Sequence, residues 1–133
     1  MFEQLRAEAT ATNPSRPTIQ ANIGDRSDFN AKDGLAALNR YYGWYEPNMN
    51  KLLTDAAEWH EKRPDQPMAL SEYGFGASTT QHTDDARVIA PENLVAIARG
   101  NFPDFMPEEY QAYGHEQIWH RIMQQDQFFG TYV

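Results

Sequence analysis

Four short apolar runs, separated by longer amphipathic segments, are the feature that most limits how this chain can fold. The runs show little alternation of polar and apolar residues, which is typical of strands covered on both faces in a parallel sheet. The segments between the later runs carry apolar residues at helical spacing. The sequence therefore predicts a parallel α/β architecture. The predicted strands cover residues 16–23, 34–42, 67–73 and 127–133.

Prolines mark the start of two predicted helices. Pro47 begins a segment over residues 47–62 that has an apolar stripe along one side, and proline is favoured at the first helical position. Pro107 begins the second helix and is followed by two acids, Glu108 and Glu109, which suit the positive end of a helix dipole. A further helical pattern occurs near the start of the chain.

The connection over residues 74–106 is the longest in the predicted fold. Loops of more than about 15 residues in compact domains are usually functional or disordered. This one is rich in aromatic residues, and residues 91–98 have a helical pattern. We therefore expect it to form a lid or rim over a site.

Composition narrows the classes of partner. The length of 133 residues suits one globular domain. The formal net charge of −8 disfavours nucleic acid and membrane partners. It contains no cysteine, so disulfides and thiolate chemistry are excluded. It has neither an apolar run of about 20 residues nor a secretory signal pattern at its start. We expect a soluble chain, and its compartment stays open.

A single carboxylate, Glu72, follows the apolar part of the predicted strand 67–73. The carboxyl ends of parallel strands are where ligands and reacting groups collect. A glutamate there can act as a nucleophile or a general base. The alternative is a solvated or salt-bridged glutamate at a strand end.

The preceding predicted strand ends in an unusual concentration of aromatic residues, over residues 39–45. Sugar sites use this combination, because the C–H face of a pyranose stacks on rings while its hydroxyls need polar groups. The alternative is an aromatic patch of the core, which we expect to account for at least one ring. The polar and aromatic residues of the segment are Asn39, Arg40, Tyr41, Tyr42, Trp44 and Tyr45.

Other catalytic and cofactor patterns fail on spacing. His115 and His120 are five residues apart, which turns them by about 140° around a helix, whereas a zinc-protease helix needs a separation of four. Gly74 and Gly76 begin a dinucleotide pattern, but Thr79 occupies the place of its third glycine. We identify no metal site and no cofactor in the sequence.

Several motifs, taken together and in order, resemble the catalytic barrel of glycoside hydrolase family 2. In that family a (β/α)₈ TIM barrel cleaves β-glycosides with retention of configuration. The resemblance implies that residues 1–133 are one partial domain, the C-terminal half of the barrel from helix four through strand eight, truncated at both ends. The motifs are LNRYYGWY at 38–45, SEYG at 71–74, GASTTQH at 76–82, PEEYQ at 107–111, the HE pair at His115 and GTYV at 130–133.

The resemblance also implies roles for individual residues. Glu72 would be the catalytic nucleophile, and Tyr41 would donate a hydrogen bond that supports its charge and orientation. The implied substrate-binding residues are Asn22, Asn39, Trp44, Tyr45 and His82, with His82 at the rim.

One catalytic part is missing from the sequence. Retaining glycosidases need a second carboxyl group about 5 to 5.5 Å from the nucleophile, and in this family it belongs to an Asn-Glu dipeptide, which does not occur here. We expect the parent enzyme to hydrolyse terminal β-galactosides and this chain alone to be inactive. A β-glucuronidase or β-mannosidase of the same family is the alternative, and a non-catalytic carbohydrate-binding or interaction module is another. The rest of the barrel is the expected protein partner, and open sheet edges predict self-association.

Overall fold

A four-stranded parallel sheet forms the centre of the protein, in a computed structural model that describes residues 2–23, 35–46, 48–90 and 105–132. Neighbouring strands along the sheet are consecutive in sequence. Helices connect the later strands, so the predicted parallel α/β architecture is confirmed. The strands are β1 (Ile19–Asn22), β2 (Leu35–Asn39), β3 (Met68–Glu72) and β4 (Phe128–Thr131).

Four helices accompany these strands among the described residues. One precedes β1, one connects β2 to β3, and two lie between β3 and β4. The helix between β2 and β3, the longer helix between β3 and β4 and the helix near the start of the chain were predicted. The helices are α1 (Phe2–Thr12), α2 (Lys51–Lys62), α3 (Ala86–Ile89) and α4 (Glu108–Ile122).

Two details of the helix prediction need correction. Helix α2 begins at Lys51 and not near Pro47, because a tight turn precedes it, in which Lys51 N donates to the carbonyl of Asn48 at 3.1 Å. The short helix α3 was not predicted, although Asp85 caps it by accepting from Arg87 N at 3.0 Å. The helix expected over residues 91–98 lies outside the described residues.

The second strand is shorter than predicted at its carboxyl end. We expected the second strand to continue through Tyr42, but β2 ends at Asn39. The pairing register with β3 shifts between Leu38 and Asn39, and a turn follows over residues 41–46. The last two aromatic residues of the predicted strand therefore lie in a loop.

Burial differs between the central and the outer strands. Ala36, Ala37 and Leu38 of β2 are buried, as are the first three residues of β3. The outer strands are more exposed, with Ile19 of β1 41% exposed and Phe129 of β4 43% exposed. The expectation that every strand is covered on both faces is therefore wrong for β1 and β4.

Helices α2 and α4 cover the sheet through a shared core. Leu52 of α2 and Ile118 of α4 belong to the same buried cluster as Leu70 of β3. Burying a side chain of this size stabilises the fold by about 1.5 to 3 kcal/mol. This packing fixes α4 against the strand that ends at Glu72. Among the helices described, none combines the length and apolarity that a membrane crossing requires.

Candidate functional site

The site is built at the carboxyl edge of the sheet, where β2 and β3 end side by side. Asn39 and Glu72 are register partners at the ends of these strands. Asn22, at the end of β1, is the register partner of Leu38 and so reaches the same edge. Parallel pairing therefore places three of the predicted site residues along one edge.

Glu72 and Tyr41 form the central contact of this edge. The Tyr41 hydroxyl donates a hydrogen bond to Oε2 of Glu72. Glu72 is exposed. The Arg40 amide donates to the Glu72 carbonyl at 2.9 Å, which ties the two strand ends together. The hydrogen bond to Glu72 is the main cause that raises the pKa of Tyr41 from its usual value. The phenol therefore keeps its proton as a donor to the carboxylate near neutral pH.

Asn39 is held by the strand that carries Glu72. Its Oδ1 accepts a hydrogen bond of 2.6 Å from the hydroxyl of Ser71. Ser71 directly precedes Glu72, and its contact fixes the orientation of the Asn39 amide at the end of β2. The SEYG motif thus provides both the carboxylate and the group that orients its polar neighbour.

Two aromatic rings, those of Tyr45 and Trp44, lie beside the polar residues at this edge of the sheet. Tyr45 is 72% exposed, and its ring lies edge-on to Tyr41 with 5.3 Å between centroids. Trp44 is half-buried and packs edge-on against Phe75 with 6.1 Å between centroids. An exposed ring beside a polar edge can stack on the apolar face of a sugar.

Tyr42 belongs to the core, as the alternative interpretation of the aromatic segment anticipated. It is buried, and its hydroxyl donates a hydrogen bond of 2.6 Å to Asp55 of α2. Burial raises the pKa of Tyr42 well above its usual range. The two adjacent tyrosines therefore have different surroundings, since Tyr41 faces Glu72 and Tyr42 faces α2.

His82 lies in the loop after β3 and contacts the start of α4. Its Nδ1 is 3.1 Å from Oε1 of Glu109, and the amide of Thr83 donates to Oε2 of the same carboxylate at 3.0 Å. The hydrogen bond to Glu109 raises the pKa of His82. The structure thus gives His82 an ionic partner that the sequence did not predict, and its role at the rim of a site stays a prediction.

The two histidines of the rejected zinc pattern, His115 and His120, lie in different surroundings. His115 is half-buried, and its ring lies edge-on to Tyr73 with 5.4 Å between centroids. Burial lowers the pKa of His115. His120 is exposed and lies 3.7 Å from Glu116 on the same helix. The two histidines therefore contact different partners.

Comparisons with known proteins identify relatives along nearly the whole chain. A β-glucuronidase of Bacteroides fragilis is 30% identical over 131 residues, covering 98% of this chain and 17% of the relative. A solved structure of a Bacteroides fragilis protein, provisionally named a β-galactosidase, matches with a TM-score of 0.79 and 25% identity, covering 98% of this chain and 18% of that one. The chain belongs to glycoside hydrolase family 2.

Further comparisons bear on the fold of this family 2 chain. A GH2 β-galacturonidase of Eisenbergiella tayi, solved with galacturonate, has a TM-score of 0.74 at 18% identity and covers 99% of this chain and 22% of that one. No protein-family model matches the sequence. The match to the curated β-glucuronidase of Bacteroides fragilis covers 98% of this chain. The chain spans about a sixth of the length of that relative. The roles of Glu72, Tyr41 and the five substrate-binding residues stay predictions.

Proposed function

We propose that this family 2 chain supplies the nucleophile side of the active site in a retaining β-glycosidase. The observation that carries the proposal is the exposed carboxylate of Glu72 at the carboxyl edge of a parallel sheet, with the Tyr41 hydroxyl as its hydrogen-bond donor. A fixed donor holds the carboxylate in one orientation and stabilises its charge. Asn39 and Tyr45 lie beside this pair and supply a polar and an aromatic contact for a sugar.

The proposed reaction has two displacements at the anomeric carbon. The Glu72 carboxylate attacks that carbon while the bond to the leaving oxygen breaks and the leaving oxygen takes a proton from a second carboxyl group. Water then attacks the same carbon, gives its proton to that second group and releases the Glu72 carboxylate. The configuration is retained, because each displacement inverts it once. The second carboxyl group is expected outside this chain.

We also propose that this sheet is half of a (β/α)₈ barrel and that residues 1–133 form one part of that domain. Among the described residues, β1 and β4 are the outer strands and each pairs on one side only. A closed barrel would pair their free edges with the remaining strands. Without that partner, exposed edges favour association between chains. We expect the 133-residue chain alone to self-associate and to lack turnover.

Terminal β-galactosides are the proposed substrates. The provisional name of the Bacteroides fragilis structure supports this choice, as do SEYG and GASTTQH followed by PEEYQ and the HE pair, which together resemble the bacterial β-galactosidase branch. LNRYYGWY with the downstream EYG is also typical of β-glucuronidases of the family. β-Glucuronides are the second candidate, because curated relatives from Bacteroides fragilis, Streptococcus agalactiae and Paenibacillus borealis are named β-glucuronidases.

A panel of nitrophenyl glycosides tests the proposal on the full-length protein that contains this chain. We expect hydrolysis of the β-galactoside, loss of nearly all turnover in Glu72→Gln, and unchanged turnover in Glu116→Gln, an exposed helix residue. Preference for the β-glucuronide or β-mannoside would replace the proposed sugar and keep the reaction. Absence of any hydrolysis would overturn the proposal and favour a carbohydrate-binding module. Full activity in Glu72→Gln would overturn the assignment of Glu72 as nucleophile.

A further inference from the structure

Helix α4 contacts both loops that leave the candidate site. The PEEYQ segment at 107–111 has no part in the proposed chemistry, yet two of its side chains reach these loops. Tyr110 contacts the loop after β2, and Gln111 contacts the loop after β3. One helix therefore connects the segment that follows Tyr41 with the segment that follows Glu72.

Tyr110 holds the loop after β2 by a buried hydrogen bond. Its side chain is 1% exposed, and its hydroxyl donates to the carbonyl of Gly43 at 2.6 Å. Gly43 has a φ of +84°, and a Cβ there would lie 2.6 Å from Cε of Met49 and 2.9 Å from Cε1 of Phe75. A backbone with this φ and these close neighbours has little room to move. The turn that follows Tyr41 is therefore fixed against α4.

Gln111 holds the loop after β3 in a corresponding way. Its Nε2 donates to the carbonyl of Phe75 at 2.6 Å, three residues after Glu72. The Phe75 ring is buried against Gly114, where a Cβ would collide with it. The same ring lies edge-on to Tyr110, with 5.4 Å between centroids. The backbone and the side chain of Phe75 are thus both fixed against α4.

We propose that Tyr110 and Gln111 are positioning residues that set the geometry between the Tyr41 hydroxyl and the Glu72 carboxylate. This inference rests on the proposed function of Glu72. Tyr110 holds the backbone two residues after Tyr41, and Gln111 holds the backbone three residues after Glu72. Both act from adjacent positions of one helix. Displacements of about 1 Å in a catalytic group can cost roughly a hundredfold in rate. Loss of either contact would let one partner move relative to the other.

The test uses kinetics of the full-length protein with a nitrophenyl glycoside that it hydrolyses. Tyr110→Phe removes one hydroxyl, and Gln111→Met removes the donor at similar volume. We expect kcat to fall about tenfold in each variant with KM changed less than about twofold, since the loss affects the reacting geometry. Tyr113→Phe, the same change on the same helix, is the matched control and should keep the parental kcat.

A double-mutant cycle separates positioning from general destabilisation. If Tyr110 acts through Tyr41, Tyr110→Phe should lower kcat about tenfold in the parent background and less than about twofold in the Tyr41→Phe background. Equal losses in both backgrounds, or unchanged kcat in Tyr110→Phe and Gln111→Met, would overturn the inference. Should Tyr110→Phe lower the folded fraction, Gln111→Met is placed in the same cycle with the same expectations.

The two proposals fail in different ways. Full turnover in Glu72→Gln would overturn the proposed function and this inference with it. Loss of turnover in Glu72→Gln, together with parental kcat in both α4 variants, would overturn this inference alone.

Discussion

The Tyr41 hydroxyl, in the loop after β2, donates a hydrogen bond to the Glu72 carboxylate at the end of the neighbouring parallel strand β3. A hydrogen bond to a charged acceptor contributes about 1.5 to 3 kcal/mol. If Glu72 is the nucleophile, Tyr41→Phe should lower kcat of the full-length protein by about ten- to a hundredfold, because the carboxylate loses its fixed donor. Steady-state kinetics measures this loss.

The control for Tyr41 is Tyr132→Phe, which removes the same atom from a ring that is 55% exposed. It should leave kcat unchanged. Parental kcat in Tyr41→Phe would contradict a supporting role for this hydroxyl.

A second tyrosine–carboxylate contact, between Tyr42 and Asp55, provides a test of stability. Tyr42→Phe leaves the partly buried Asp55 carboxylate without its 2.6 Å donor, and such losses cost about 1 to 3 kcal/mol. We expect the free energy of unfolding to fall by that amount in chemical denaturation. Asp55→Asn keeps an oxygen acceptor in the same place and should cost less. An equal or larger loss in Asp55→Asn would show that the charge of Asp55, and not the hydrogen bond alone, supports this contact.

The contact between His82 and Glu109 should depend on pH. The hydrogen bond to Glu109 raises the pKa of His82, and within the described part of the chain a second acid, Glu108, lies 3.7 Å from its ring. The folded protein therefore keeps this proton to higher pH than the unfolded chain does. The stabilising effect is fully present below about pH 6.5 and is lost as the pH rises through the raised pKa.

Titration of the His82 ring by NMR measures this effect. Glu109→Gln removes the charge and should move the pKa of His82 down toward its usual value, whereas Glu116→Gln on the same helix should leave it unchanged. A pKa of His82 that is the same in the parent and in Glu109→Gln would contradict the assigned contact.

Gly74, directly after the SEY segment, has a backbone that other residues rarely adopt. Its φ is +124°, and a Cβ there would lie 2.6 Å from Cε1 of His115. Gly74→Ala should lower the free energy of unfolding by about 1 to 3 kcal/mol, through backbone strain and the displaced ring. Gly130→Ala is the matched control, since a Cβ there meets nothing within 4 Å. Thermal melting of both variants checks the difference, and equal midpoints would contradict it.

Much of the fold could be predicted from local pattern. Proline positions and apolar stripes predicted α2 and α4, and short apolar runs predicted all four strands in parallel order. The end of β2 could not be predicted, because the register shift after Leu38 depends on pairing with β3. Helix α3 had a signal, the Asp85 cap before a short apolar segment, but four residues are too few for helical periodicity to stand out.

The site could be predicted less directly. Parallel pairing brings Asn39 and Glu72 to one edge, and this follows from the strand pattern. The assignment of roles to Tyr41 and Glu72 came from resemblance to the family, since spacing alone left a salt-bridged glutamate equally open. The contacts of Tyr110 and Gln111 with the two loops required the structure, because they join segments far apart in sequence.

Covalent labelling tests the central claim most directly. The full-length protein is treated with a 2-deoxy-2-fluoro glycoside of the sugar it hydrolyses, which slows release of the glycosyl-enzyme, and the labelled peptide is mapped by mass spectrometry. We expect one equivalent of fluoro-sugar as an ester on Glu72, and none in Glu72→Gln. A label on any other residue, or turnover without a covalent intermediate, would contradict Glu72 as the nucleophile.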